Sequence, residues 1–157
     1  MGMLVIDNQF IHQAIALVNQ AVKEILISTF KIERTDKPRG RKIAELFDAL
    51  VKKKESGVNV KLLFNWHDDK KSVARTNLSA GQFLKNHGIE VRHLRNNRCC
   101  HAKSIIVDKE KAIIGSHNLS VRSLTANFEV SYLITDKAEA ENLTSVFDHS
   151  FREGKVF

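Results

Sequence analysis

Residues 99–118, CCHAKSIIVDKEKAIIGSHN, place His101 and Lys103 two positions apart, and Asp108 follows five positions after the lysine. An imidazole can act as a nucleophile or carry a proton, and an ammonium group can hold an anion. Side chains two residues apart on a strand share a face and lie about 6.6 Å apart. We therefore expect His101 and Lys103 to project toward one ligand. Asp108, an odd number of positions from His101, should point to the opposite face, where it would support the site from behind or have a structural role.

Two further features follow this segment in the chain. A Gly-Ser-His-Asn turn spans residues 115–118, where backbone N–H groups and short polar side chains can surround an anion. Glu129 stands within NFEVSYLIT (residues 127–135), a strand otherwise built for burial, so its carboxylate needs a partner. Each feature alone is ordinary, since a histidine at a strand end is usually a surface residue. Their combination in this order predicts a site.

The ordered set H-x-K-x4-D, then G-S-x-N, then a glutamate eleven residues later resembles the phospholipase D superfamily. The resemblance extends to the small bacterial endonucleases of that superfamily that carry a single motif. DALVKKKESGVNVKLLFN (residues 48–65) resembles their helix–glycine–strand segment. Two features depart from the pattern: His117 stands where relatives commonly carry an aromatic or apolar residue, and RNNRCC (residues 95–100) has no counterpart.

The resemblance implies a role for each residue of the set. His101 would attack phosphorus and form a phosphohistidine that water then hydrolyses. Lys103 and Asn118 would hold the non-bridging phosphate oxygens, with Ser116 as a weaker candidate for the same role. Glu129 would accept a hydrogen bond from the other ring nitrogen of His101 and so fix its tautomer.

The same resemblance implies a partner subunit. In the superfamily, a histidine from a second copy of the motif protonates the leaving oxygen, but this chain has one copy. We therefore expect a two-fold homodimer in which the two copies of His101 share one site. This chemistry needs no metal or cofactor. Cys99, Cys100, His93 and His101 could suggest zinc, but adjacent cysteines lack the usual ligand spacing, and we interpret both as small buried apolar residues.

The charge of the chain favours a polyanionic partner. It has 157 residues, a net charge of +7 and a pI of about 9.5, which is typical of proteins that bind nucleic acid or an anionic membrane surface. Lys52–Lys54 fit a solvated helix end better than a binding site. The residues that we expect to contact a phosphate backbone are Arg39, Arg41, Arg95 and Arg98.

The order of elements predicts an α/β fold, a sandwich with a mixed β-sheet. The resemblance implies that helices flank both faces of that sheet, as in a phospholipase D/nuclease-like sandwich. We expect a single phospholipase D-like nuclease domain over residues 1–157. The predicted elements are a helix over 11–22, a strand in 24–33, a helix around 43–51 that Gly57 ends, a strand in 58–66, a helix over 71–86, a strand in 89–95, a hairpin of 101–108 and 111–116 that turns at 109–110, a strand in 127–135 and a helix around 143–151.

No stretch reaches the roughly 20 apolar residues of a membrane span, so we expect no stable membrane insertion. Adjacent cysteines suggest a reducing compartment, and the N-terminus lacks the pattern of a secretory leader, so we expect a cytoplasmic protein. The start Met-Gly-Met leaves open that a leader has been removed.

These observations lead to one hypothesis for function and three alternatives. The leading hypothesis is a metal-independent endonuclease that hydrolyses DNA, with RNA as a second candidate substrate. The alternatives are a phospholipid phosphodiesterase with the same catalytic residues, a catalytic fragment of a restriction-type enzyme, and a nucleic-acid-binding domain without activity.

Overall fold

The computed structural model describes residues 2–66, 71–96 and 98–157. The helices are α1 (Gln9–Gln20), α2 (Arg41–Glu55), α3 (Lys71–Asn86), α4 (Val121–Thr125) and α5 (Lys137–Glu153), with a short 3₁₀ helix at Pro38–Gly40. The strands are β1 (Met3–Ile6), β2 (Glu24–Thr29), β3 (Asn59–Phe64), β4 (Glu90–His93), β5 (Ser104–Val107), β6 (Lys111–Gly115), β7 (Val130–Ile134) and β8 (Lys155–Val156).

The strands form one sheet in the order β1-β7-β6-β5-β2-β3-β4-β8. β2 pairs in parallel with β3, and β3 with β4, while the other neighbours run antiparallel. The parallel pairs require crossover connections, which α2 and α3 provide. The hairpin of β5 and β6 joins this parallel half to the antiparallel half. The predicted mixed sheet is confirmed.

Side chains of β2 alternate between two hydrophobic cores. Ile25 and Ile27 are buried in a core shared with α1, α2 and α3, whereas Leu26 is buried on the other face with Phe147 and Phe151 of α5. A strand that is buried on both faces has a continuous apolar run, as ILI in β2 shows. Helices therefore cover both faces of the sheet, and the predicted fold class is confirmed.

The ends of several strands meet at one edge of the sheet. Ser28 of β2 pairs with Ser104 of β5, Ser104 with Ile114 of β6, and Gly115 with Ser131 of β7. Residues that follow β2 and β6, and those that precede β5 and β7, are thus neighbours. Gly115 is required at this edge because a Cβ atom would overlap the Ser131 side chain and backbone.

Some predicted elements differ in extent from those observed. The predicted strands at 101–108 and 127–135 begin at Ser104 and Val130, so His101, Lys103 and Glu129 lie in the connections just before them. β1, β8 and α4 were not predicted: β1 and β8 are short strands at the two edges of the sheet, and α4 has five residues. Val146 of α5, predicted to face the core, is 63% exposed.

None of the helices in the described ranges is long and apolar enough to cross a membrane.

Candidate active site

A surface depression of about 490 Å³ lies at the edge of the sheet where these strand ends meet. His101, Lys103, Ser116 and Asn118 line it, together with Gly115 and two apolar residues. We call it the His101 depression. His101 is exposed in it, whereas only 9% of Lys103 is accessible. The structure thus brings together four of the residues that the sequence analysis singled out.

The ammonium of Lys103 rests against the imidazole of His101. Lys103 Nζ lies 3.0 Å from Nδ1 and 3.2 Å from Nε2 of the ring, and it donates a 2.6 Å hydrogen bond to the His101 carbonyl oxygen. The Phe30 ring packs against the imidazole with centroids 5.2 Å apart. An ammonium group only donates, so this arrangement suits a neutral imidazole that offers a lone pair.

Burial of Lys103 lowers the pKa of its side chain from the usual lysine value, and the Glu129 carboxylate opposes that effect. Burial penalises the charged form because it removes water from around the ammonium. An anion that entered the depression would restore the lost solvation. The site is therefore electrostatically suited to an anionic ligand.

Asn118 is oriented by the chain that follows β2. Its Oδ1 accepts a 3.0 Å hydrogen bond from the backbone N–H of Lys31, and its own N–H donates to Ser123 Oγ at 2.9 Å. With the carbonyl end of the amide held in this way, the NH₂ end is the one left to act as a donor. Asn118 can thus present a donor to an anion in the His101 depression.

The Glu129 carboxylate accepts three hydrogen bonds from side chains. Ser123 Oγ donates at 2.7 Å, Asn127 Nδ2 at 3.0 Å, and Ser116 Oγ makes a short bond to the second oxygen. Burial raises the pKa of Glu129, but these bonds outweigh it and hold the pKa below the usual value. The resemblance implied a hydrogen bond from His101 to Glu129. Among the hydrogen bonds between described residues, this bond is not found.

The hydroxyl of Ser116 is occupied by that contact. Besides donating to Glu129, its oxygen accepts a 3.0 Å hydrogen bond from the backbone N–H of Val130. Ser116 therefore joins the turn at 115–118 to the start of β7. Ser123 and Asn127 could not be predicted as partners of Glu129, because neither forms part of a recognisable motif.

Asp108 lies at the opposite end of β5 from His101. Its carboxylate accepts hydrogen bonds of 2.8–2.9 Å from the backbone N–H groups of Val22, Lys23 and Glu24. Asp108 lines a separate surface cleft, with Lys23 and Glu24, and is not among the residues that line the His101 depression. Asp108 instead fixes the start of β2 to the β5–β6 hairpin, which is a structural role.

His117 faces away from the depression and is buried. Its ring stacks on Phe10 with centroids 4.4 Å apart, Nε2 lies 2.9 Å from the Asp7 carbonyl oxygen, and Nδ1 lies 2.7 Å from Ser131 Oγ. A carbonyl oxygen only accepts, so Nε2 carries the proton and Nδ1 accepts from the hydroxyl. His117 thus secures the turn at 115–118 to the segment before α1.

An apolar pocket of about 230 Å³ adjoins the His101 depression, and His101 lines both. Its walls come from β3, α5 and the segment before β5, and include Leu63, Leu143 and Phe147. Cys99 and Cys100 also line it. Cys100 is buried, and burial raises the pKa of its thiol to about 11, but Cys99 is exposed, so the prediction that both are buried was wrong for Cys99.

Two buried asparagines support the segments beside His101. The fully buried Asn77 of α3 donates to the carbonyl oxygens of Phe30 and Asn65 and accepts from Ile32 N–H. Asn65 Oδ1 accepts a 3.1 Å hydrogen bond from the N–H of Cys100. These amides link α3 to the chain on either side of the site, a link that sequence patterns do not reveal.

The four arginines expected to contact a phosphate backbone lie in different places. Arg98 lines the apolar pocket beside His101, and its N–H donates to the Arg95 carbonyl oxygen. Arg39 lines a separate cleft between α1 and α4, and Arg41 lies 3.7 Å from Glu45. Of the four, only Arg98 lies close to His101, in the apolar pocket that adjoins the His101 depression, and none of them lines the depression itself.

In the ranges that the structure describes, no group of three or more His, Cys, Asp or Glu side chains could hold a metal ion.

An apolar sheet surface borders the depression. Leu4 and Ile6 of β1, Val130 and Tyr132 of β7, and Ile114 of β6 are each 38–60% exposed. Leu4 pairs with Tyr132, which pairs with Ile114, so these side chains share one face beyond the edge of α5. Ile114 also lines the His101 depression, which makes the surface continuous with the site.

Comparison with known proteins identifies a family model and curated relatives. Residues 14–151 match the family model described as "Cardiolipin synthase, PLD-like domain". A curated relative, the major cardiolipin synthase ClsA of Bacillus subtilis, is 34% identical over 144 residues, which cover 91% of this chain and 28% of ClsA. The chain thus spans about a quarter of the length of the curated relatives that it matches.

Solved structures show the same fold. Nuc from Salmonella typhimurium, a phospholipase D family member, superposes with a TM-score of 0.81 at 21% identity, covering 100% of this chain and 99% of Nuc. The archaeal chromatin protein TrmBL2, whose structure shows a novel mode of DNA binding, has a TM-score of 0.64 at 16% identity over 99% of this chain and 54% of TrmBL2.

Proposed function

Because the chain belongs to the phospholipase D superfamily, through the family of PLD-like domains described for cardiolipin synthase, we propose that it hydrolyses the phosphodiester bonds of nucleic acid at the His101 depression. One observation carries the proposal. An exposed imidazole, a largely buried ammonium 3.0 Å from it and an amide donor line a single open depression. That set can attack a phosphorus atom and stabilise the charge that develops on its oxygens.

In the proposed reaction, a ring nitrogen of His101 bonds to phosphorus while the bond to the leaving alcohol oxygen breaks. Lys103 moves its hydrogen bonds from the imidazole to a non-bridging oxygen, which leaves the ring lone pair available for attack. Asn118 donates to the other oxygen. Water then attacks the phosphohistidine, breaks the P–N bond and releases the phosphate end.

The leaving oxygen must gain a proton, and the attacking water must lose one. We propose that His101 of a second copy carries this proton at a site shared by two subunits, because the chain holds one motif. The apolar sheet surface supports a homodimer, since exposed aliphatic and aromatic side chains extend from β1 to the edge of the site. Such a reaction is metal-independent.

The test uses single- and double-stranded DNA, RNA and bis(p-nitrophenyl) phosphate with excess EDTA. We expect cleavage that survives EDTA, is lost in His101→Ala and persists in the control His149→Ala, which removes an exposed imidazole on α5. Mass spectrometry of the denatured reaction should detect a phosphoryl adduct on the peptide that contains His101. Loss of cleavage with EDTA, or nucleic-acid binding without turnover, would contradict the proposal.

One observation favours a second candidate, a phospholipid phosphodiesterase. The apolar pocket shares His101 with the depression and could receive part of an acyl chain beside the scissile phosphate. The curated relatives named above are cardiolipin synthases. Turnover of phosphatidylglycerol vesicles without cleavage of DNA or RNA would establish this candidate in place of the first.

A further inference from the structure

A second cleft, of about 560 Å³, lies between α1, the 3₁₀ helix and α4. His12, Arg39 and Lys42 line one side, and Thr125 and Asn127 line the other. We call it the basic cleft. All five of these residues are exposed. The cleft is larger than the His101 depression, and no role in the reaction described above accounts for its cationic side chains.

The charge of the basic cleft is available to a ligand. Arg39 makes no ion pair with any residue of the described ranges. Lys42 bonds to Glu45 at 2.7 Å, and Glu45 is shared with Arg41, so one carboxylate serves two cations. The acid that lines the cleft, Asp7, has one carboxylate oxygen engaged by the N–H of Glu129 at 2.9 Å.

The basic cleft and the His101 depression lie on either side of one carboxylate. Asn127, in the wall of the cleft, donates to one oxygen of Glu129, and Ser116, in the wall of the depression, donates to the other. The two walls are therefore separated by two hydrogen bonds and the width of a carboxylate group. A substrate that carries a series of phosphates could occupy both at once.

We propose that the basic cleft binds a flanking phosphate of a nucleic-acid strand whose scissile phosphate lies at His101, an inference that rests on the function proposed above. A nucleic-acid backbone repeats a negative charge at every nucleotide, and Lys and Arg contacts to it dominate affinity. The exposed polar and cationic side chains on both walls suit such a backbone. The cleft thereby confers a preference for oligonucleotides over isolated diesters.

The test compares Arg39→Gln/Lys42→Gln with the control Lys52→Gln/Lys54→Gln, which removes the same charge from the far end of α2. In the cleft variant, we expect KM for a single-stranded 20-mer to rise about tenfold relative to KM for bis(p-nitrophenyl) phosphate. The slope of log K against log salt should become shallower by about 0.7, since each neutralised phosphate of a single strand contributes about 0.7 and the cleft is proposed to hold one. Equal effects on both substrates, or an unchanged slope, would overturn the inference.

A binding measurement separates this inference from the proposed function. The same variants are made in His101→Ala, and fluorescence anisotropy then reports affinity for the 20-mer without turnover. Weaker binding in the cleft variant alone supports the basic cleft even where the wild-type protein cleaves no nucleic acid. Weaker binding to phosphatidylglycerol vesicles with unchanged binding to the oligonucleotide would overturn it and assign the cleft to a membrane surface.

Discussion

Lys103 Nζ lies within 3.2 Å of both ring nitrogens of His101 and donates to the carbonyl oxygen of the same residue. The spacing of the two residues along the chain therefore does more than place both side chains on one face, since it brings them into direct contact. The cation lies where it can pass from the imidazole to a ligand that the imidazole attacks. Its burial lowers its pKa, which strengthens the demand for an anionic partner.

Lys103→Gln should lower kcat for bis(p-nitrophenyl) phosphate by about 10²–10³-fold, because it removes a charged donor to the transition state. Lys103→Arg should recover only part of the loss, since a planar guanidinium does not replace a compact ammonium in a buried position. Steady-state kinetics with Lys111→Gln, an exposed lysine of the same hairpin, provide the control. Retention of more than about a tenth of the wild-type kcat would contradict the role.

Asn118→Asp should distinguish the role of the carbonyl end of the amide from that of the NH₂ end. The new carboxylate can still accept from Lys31 N–H, but it replaces the NH₂ donor with a negative charge that repels phosphate. We expect kcat/KM to fall about 100-fold or more while the thermal unfolding midpoint changes little. Asn19→Asp on the exposed face of α1 controls for the added charge. An equal loss of stability and activity would indicate a structural role instead.

Much of this arrangement could be predicted from the sequence because it is local. His101, Lys103, Ser116 and Asn118 lie on one hairpin and its flanks, so strand geometry and turn position suffice to bring them together. The residues that hold this turn come from elsewhere in the chain: Lys31, which bonds to Asn118, follows β2, and Asp7, which bonds to His117, precedes α1. Tertiary packing places them, and no spacing rule in the sequence could have found them.

In the fold, too, the local features could be predicted and those set by tertiary packing could not. The long helices and the buried strands were predicted because their periodicity is strong, as Leu46 and Leu50 of α2 illustrate. β1 is an apolar run of four residues at the edge of the sheet, and three of them are exposed. An apolar run this short does not by its periodicity distinguish a strand from other structure, so it was missed. Tyr132 is exposed because α5 does not cover that part of the sheet, and Val146 is exposed because it lies on a face of α5 turned away from the core. Both depend on how the layers pack together.

Asp108→Asn should lower the stability of the fold far more than it lowers kcat. The carboxylate accepts three backbone hydrogen bonds, and weakening them should lower the free energy of unfolding by about 2 kcal/mol. Burial raises the pKa of Asp108, but those bonds outweigh it and lower the pKa in the folded state. The stabilisation is therefore present above about pH 4, the unfolded value, and is lost as pH falls through the folded pKa.

Urea unfolding between pH 2 and pH 7 checks this assignment. The difference in free energy between wild type and Asp108→Asn should shrink as the pH falls. Measured below the unfolding temperature, kcat of the variant should fall much less than that of Lys103→Gln. A loss of kcat comparable to that of Lys103→Gln would place Asp108 in the chemistry after all.

His117 should make stability depend on pH near neutrality. Burial lowers its pKa below the usual value, although the Asp7 carbonyl oxygen and the Asp7 and Glu129 carboxylates oppose the effect. The unfolded chain then binds the proton more readily. Stability is full above about pH 6.5 and declines as pH falls below it toward the folded pKa.

His117→Gln removes this titration. At pH 7.5 it should unfold about 1–3 kcal/mol more easily, since the contacts with Ser131 and Asp7 are weakened. Between pH 7.5 and pH 5, its stability should fall less than that of the wild type. His149→Gln, an exposed substitution, should keep the wild-type slope. Identical slopes for His117→Gln and the wild type would show that His117 does not titrate in this range.

Mixing active and inactive subunits tests the shared site. If each site needs His101 from both copies, a dimer with one His101→Ala subunit is inactive. With a tenfold excess of His101→Ala and random exchange of subunits, the activity per wild-type chain should fall to about a tenth. The double variant His101→Ala/Tyr132→Lys should inhibit much less, because a charge on the apolar sheet surface opposes pairing. Activity that is unaffected by the excess subunit would mean that a single chain carries out both proton transfers, and the second imidazole would then have to be sought within one copy.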